Sequence, residues 1–136
     1  MELPRRPPPV GRLRNSLRPM SQFDMFRNET SKAYRAGETI FAKGDPGSSL
    51  YVVADGEVEI RIGETVLDRL SPGGIFGEMA LVAGEPRSAT ACAATECRVV
   101  EIPEKRFLFL VQQTPFFALE VMRAMAQRQR RRDPAT

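Results

Sequence analysis

A chain of 136 residues without a single histidine has room for one domain around a modest core, and it lacks the side chain on which Ser-His-Asp and Cys-His nucleophiles and most zinc or non-haem iron sites depend. Hydrophobic residues make up 42%, which is ordinary for a globular protein, and no apolar run approaches the roughly 18 to 20 residues that a membrane helix needs. The net charge of +3 hides an uneven spread: residues 1–18 hold five Arg against Glu2, residues 123–136 hold five Arg against Asp133, and the interval between them carries ten bases against fifteen acids.

Basic ends therefore flank an acidic body. Short arginine-rich ends without a recognisable reading helix are expected to be solvated tails, so nucleic acid is not an expected partner. Residues 1–20 have no apolar centre of the kind a secretory signal carries, and Cys92 and Cys97 do not make a disulfide framework. The expectation is a cytoplasmic protein with two reduced, core-type cysteines, no metal, no cofactor and no catalytic activity.

In chain order, residues 1–20 read as a disordered leader broken by Pro4, Pro7, Pro8, Pro9 and Pro19. A domain over 21–132 follows, opening on a short amphipathic helical segment at Gln22-Phe23-Asp24-Met25-Phe26. From about 31 to 102 the pattern is one of short strands punctuated by glycine, the mark of an antiparallel roll or jelly-roll-like barrel. The clearest strand is Glu57-Val58-Glu59-Ile60-Arg61-Ile62, whose alternation puts Val58, Ile60 and Ile62 on one face. Leu50-Tyr51-Val52-Val53 precedes it across Asp55-Gly56, a dipeptide suited to a tight turn, which predicts a hairpin between the two. Thr65 to Leu70 continues the meander, and Arg87–Ala94 and Arg98–Ile102 supply later strands.

Between those strands lies Phe76-Gly77-Glu78-Met79-Ala80-Leu81, followed after a short gap by Pro86-Arg87-Ser88-Ala89-Thr90. Gly77 permits a turn and close approach to the backbone, and the next residues suit one short helix whose open N–H groups attract an anion. A carboxylate at Glu78 would repel that anion unless it accepts a hydrogen bond from an adjacent hydroxyl, which a ribose supplies. Pro86 fixes the backbone entering Arg87, whose planar guanidinium grips two phosphate oxygens together as a lysine cannot. Ser88 adds a hydroxyl and an N–H.

Beyond Pro103 the period becomes helical. Lys105–Gln112 reads as one helix, and Thr114-Pro115 starts a second within the range of about 104–131. Phe116, Leu119, Met122, Met125 and Ala126 recur at three- and four-residue spacing, which predicts a stripe packed against the core. The run Arg128-Gln129-Arg130-Arg131-Arg132 has no apolar face, so the helix is expected to fray there, with 133–136 as a tail.

From about Tyr34 to Arg131 the chain resembles the cyclic-nucleotide-binding domain family, found in catabolite activator proteins, protein kinase A regulatory subunits and cyclic-nucleotide-gated channels. The phosphate-binding cassette of that family reads F-G-E-[LM]-A-L, a variable stretch, then P-R-[SA]-A-T, and it is matched without departure at Phe76–Leu81 and Pro86–Thr90. The resemblance implies a mainly β protein, a β-roll with a short cassette helix and helical flanks. It implies Glu78 on the ribose 2′-hydroxyl, Arg87 on the cyclic phosphate, and backbone N–H groups of Gly77, Met79, Ala80 and Ser88 on the remaining oxygens, with Ala89 beside them. Threonine after the arginine often accompanies cyclic GMP, so Ser88 leans toward cyclic AMP. The last helix commonly closes over the base, which makes Met122, Arg123, Met125 and Arg128 lid candidates.

Activator proteins of that family continue into a helix-turn-helix, kinase subunits carry a second binding domain and channels carry a pore, whereas this sequence ends at Thr136. The expectation is a sensor module that passes its signal through the last helix to a protein partner or a second copy. A ligand-free interaction module of the same fold and a truncated activator-like transcription regulator are the alternatives.

Overall fold

The computed structural model describes the backbone of residues 30–132 and the side chains of residues 30–127. The leader, the helical segment expected at 22–26, the tail at 133–136 and the side chain of Arg128 lie outside the described residues. In chain order the strands are β1 (Ser31–Tyr34), β2 (Thr39–Phe41), β3 (Ser49–Asp55), β4 (Val58–Ile62), β5 (Thr65–Leu70) and β6 (Ile75–Phe76). Helix α1 (Glu78–Ala83) follows, then β7 (Thr90–Ala93), β8 (Cys97–Pro103), α2 (Glu104–Gln113) and α3 (Phe116–Arg132).

The strands form two four-stranded antiparallel sheets, ordered β1-β8-β3-β6 and β2-β7-β4-β5. This is a β-roll, as expected, but its sheets are not closed into a barrel. The hairpin expected between Leu50–Val53 and Val58–Ile62 is also absent: β3 pairs with β8 and β6, while β4 pairs with β5 and β7. Gly56, at φ 76°, carries the chain from one sheet to the other, and a Cβ there would stand 2.8 Å from the Cα of Cys97. The reason lies in β3 itself. Its run of apolar residues has no polar face, which suits a central strand covered on both sides rather than one arm of a half-wet hairpin.

Alternation along β3 feeds two cores. Leu50 and Val52 join Val100 and Ile102 of β8 and Ile75 in a layer under the helices, with Leu110, Phe117 and Val121. Val53 joins Val58, Ile60, Phe76, Ala91 and Val99 in the layer between the sheets. The helices thus pack on the outside of one sheet and leave the inter-sheet layer to the strands.

Helix α3 is phased differently from the expected stripe. Phe117 and Val121 are buried and Ala124 and Met125 pack against the same core, whereas Phe116, Leu119 and Met122 are exposed. Both sets recur at helical spacing, so periodicity alone does not choose between them. Phe117 is selected because its ring meets Phe107 of α2 at 5.7 Å, closing the corner between the two helices. The helix also continues through Arg132 instead of fraying at Arg128.

Candidate functional site

Helix α1 begins at a residue no side chain could easily replace. Gly77, at φ 77° and ψ 8°, is its N-cap, and a Cβ there would lie 2.9 Å from Nη1 of Arg87 and 3.2 Å from the ring of Tyr51. With no side-chain cap on the helix, the first-turn N–H groups keep their partial positive charge for whatever enters beside them. Glu78 follows as the first helical residue and is 0% exposed, a position where the helix dipole favours a carboxylate.

Arg87 is held by backbone and rings. It is 5% exposed, and Nη1 donates to the carbonyl oxygens of Ser49 and Gly77, both at 2.9 Å. Its Cζ stands 4.2 Å from the ring centre of Phe41 and 5.4 Å from that of Tyr51, a cation–π arrangement that supports the cation as it leaves water. Its own main chain is clamped as well: the N–H donates to Asp45 O at 2.8 Å, and the carbonyl accepts from Gly44 N–H at 2.7 Å. The buried Nε has no hydrogen-bond partner among the described residues. Buried donors in native proteins are nearly always paired, so an Arg87 guanidinium anchored by two carbonyls yet carrying an unsatisfied Nε is an unusual buried cation.

The electrostatics extend to Tyr51, whose phenol is pushed above its ordinary value of 10.0 by burial, reinforced by the Glu101 carboxylate and opposed by Arg87. Ser49 ties these groups together: its hydroxyl donates to Glu101 Oε2 at 2.8 Å while its carbonyl accepts from Arg87.

The hollow beside these groups is lined by Gly77, Glu78, Met79, Ala80, Arg87, Ser88 and Ala89, and by Phe41, Ile60, Leu67, Asp68 and Phe76 from the strands. All seven residues expected around a ligand therefore converge on one space, although Gly77 and Arg87 stand ten positions apart in the sequence. The lid candidates do not. Met122 and Arg123 are exposed, Arg123 pairing with Glu120 at 2.9 Å, and Met125 packs into the core under the helices. None of the three lines the hollow, because the inward side of α3 is spent on the sheet.

The sequence reading missed the strand-borne wall, namely Phe41, Ile60, Leu67 and Asp68, and the supports at Gly47, Ser49 and Tyr51. Ile60 was legible as an inward strand residue, but the others become visible only once sheet register is known.

Comparison with known proteins agrees with this geometry. The cyclic nucleotide-binding domain model matches residues 31–114. The chain is 35% identical over 114 residues to the cyclic nucleotide-gated potassium channel mll3241 of Mesorhizobium japonicum, covering 84% of this chain and 31% of the channel. It is likewise 35% identical over 107 residues to the cyclic AMP receptor protein of Thermus thermophilus, covering 75% of this chain and 50% of that protein. The crystal structure of the Thermus thermophilus catabolite activator protein superposes with a TM-score of 0.73 at 30% identity, over 90% of this chain and 60% of the other. The chain thus spans a third to a half of the curated relatives' length. With a matching family model over most of its strands and a cassette whose two halves meet at one hollow, the chain belongs to the cyclic nucleotide-binding domain family.

Proposed function

We propose that the chain is a regulatory sensor of a 3′,5′-cyclic nucleotide, with no catalytic role, and that cyclic AMP is the ligand Ser88 favours. The observation that carries this reading is the pairing of Arg87, buried with an unsatisfied Nε, and Glu78, fully buried, on the wall of one hollow. Arg87 takes the cyclic phosphate, first-turn N–H groups and the N–H of Ser88 take further phosphate oxygens, and Glu78 accepts from the 2′-hydroxyl. The names of the receptor and channel relatives, both of which refer to cyclic nucleotides, support the same ligand class.

Output follows from how α3 is seated. It contacts both α1 and β6, so a ligand that draws α1 toward its phosphate alters the surface on which α3 packs and shifts the balance between two helix positions by its differential contacts. Leu108, Phe109, Phe116, Leu119 and Met122 are exposed on α2 and α3, an apolar surface that suits a protein partner or a second copy. Cytoplasmic location belongs to the same proposal and is supported by the free, buried thiols of Cys92 and Cys97.

Isothermal titration of the protein with cyclic AMP and cyclic GMP, beside Arg87→Ala checked for folding by circular dichroism, tests the reading. Truncating a buried, paired charge costs on the order of 2 to 5 kcal/mol of binding, roughly thirty- to several-thousand-fold. Unchanged affinity in a folded Arg87→Ala protein removes the assigned role.

A further inference from the structure

Arg87 completes a strand ladder. On the β6 side of β3, the Val53 N–H donates to Gly74 O at 2.9 Å and the Val53 carbonyl accepts from Gly73 N–H at 2.8 Å. Backbone groups face the same neighbour at every second residue of a strand, so Tyr51 and Ser49 present theirs to that side as well. Tyr51 is met by Phe76, but β6 ends there, and Gly77, at φ 77°, turns the chain into α1 before it can pair with Ser49. Nη1 of Arg87 fills the place, donating to the carbonyls of Ser49 and Gly77 at 2.9 Å each. The orientation of the guanidinium therefore depends on where Ser49 stands.

Ser49 is the first residue of β3, so the strand holds it from one direction along the chain only. Its hydroxyl supplies a second tie, donating to Glu101 Oε2 at 2.8 Å. Register explains the contact. Tyr51 pairs with Glu101 and Ser49 with Pro103 across β8, and because the backbone groups of Tyr51 and Ser49 turn to β6, these are pairs of the close, non-hydrogen-bonded kind, in which a long side chain also reaches its diagonal neighbour. Glu101 is exposed and stands outside the lining of the hollow. Its charge alone opposes an anionic ligand, so any benefit to binding must come through the residue it holds.

We infer that Glu101 is a positioning residue for ligand binding: through the Ser49 hydroxyl it fixes the start of β3, and with it the carbonyl that orients the guanidinium of Arg87 toward the phosphate. The inference rests on the cyclic-nucleotide reading above and extends the site to a residue of β8 outside the hollow.

The test is calorimetric titration of folded wild type, Ser49→Ala, Glu101→Ala, Glu101→Gln and the Ser49→Ala/Glu101→Ala double variant with cyclic AMP and cyclic GMP. Ser49→Ala and Glu101→Ala are each expected to weaken the better-bound nucleotide about three- to tenfold, the worth of one ordinary hydrogen bond. The double variant is expected to lose no more than either alone, because both substitutions remove the same bond. Glu101→Gln keeps an acceptor for the hydroxyl and is expected to bind within about twofold of wild type. Loss of charge alone would instead strengthen binding in both Glu101 variants, and a carboxylate that served only fold stability would shift the urea midpoint and leave the affinity of the folded protein unaltered. Affinity in Glu101→Ala that equals or exceeds that of wild type overturns the role of Glu101 and leaves the sensor reading standing, as does a Glu101→Gln protein that binds as poorly as Glu101→Ala. Failure of wild type to bind either nucleotide overturns the sensor reading, and the inference with it.

Discussion

Gly47 lies so close to the guanidinium of Arg87 that a Cβ on it would stand 2.5 Å from Cζ and 2.5 Å from Nη2. On its other side the same guanidinium faces the ring of Phe41 at 4.2 Å, so the plane is held in a slot between a ring and a bare backbone. Gly47→Ala is therefore expected to push the guanidinium out of register with its acceptors while keeping its charge. Overpacking of this kind costs about 1 to 3 kcal/mol, which corresponds to roughly a five- to hundredfold loss of cyclic-nucleotide affinity. Titration of a folded Gly47→Ala protein with wild-type affinity would show that the slot does not set the arginine's position.

Arg87→Lys isolates geometry from charge. A lysine ammonium is a point cation on a flexible stem and cannot both reach the carbonyls of Ser49 and Gly77 and keep a planar edge for a phosphate. The expected outcome is affinity between wild type and Arg87→Ala, lower than wild type by about ten- to a hundredfold, as befits the loss of one or two charge-assisted hydrogen bonds. Equal affinity of the lysine and arginine proteins would mean that only the charge matters.

The cassette is legible in the sequence because its parts are local: a glycine that permits a turn, a carboxylate, and an arginine after a proline. Strand existence was legible from alternation at Val58 and Ile60 and from the apolar run at Leu50 to Val53. Strand pairing was not, since Asp55-Gly56 serves equally as a hairpin turn or as a crossing between sheets, and only the double burial of β3 decides. Leu67 and Asp68 escaped notice as neighbouring wall residues because the pairing of β5 with β4 skips Leu67, which breaks the alternation there. The phase of α3 escaped for a related reason: two overlapping stripes share the helical period, and the choice depends on contact with Phe107 across the α2–α3 corner.

That choice is directly measurable. Phe117 is fully buried and Phe116 is 55% exposed, although the two are neighbours of the same type. Phe117→Ala is expected to destabilise the fold by about 3 to 5 kcal/mol through lost burial and a cavity, while Phe116→Ala changes stability by about 0.5 kcal/mol or less. Urea unfolding of the two variants checks the contrast, and equal losses would restore the stripe running through Phe116.

Tyr51 offers a probe of the same site through pH. Burial, helped by the nearby Glu101 carboxylate, disfavours the phenolate and holds its pKa above 10.0, while Arg87 pulls the other way. The folded state therefore keeps a proton that the unfolded chain gives up near pH 10. The contribution to stability is intact below that pH and is lost as pH rises toward the folded value. The sequence holds two tyrosines, so Tyr34→Phe leaves Tyr51 as the only phenol, and its ionisation can be followed by ultraviolet absorbance. The midpoint is expected above 10.0 and is expected to fall on adding Glu101→Gln, which removes the carboxylate that raises it. Adding Arg87→Ala instead removes the opposing cation and raises the midpoint further. A midpoint at or below 10.0 in the folded Tyr34→Phe protein, or no response to either second substitution, would mean that Tyr51 does not share an electrostatic environment with the arginine it packs against.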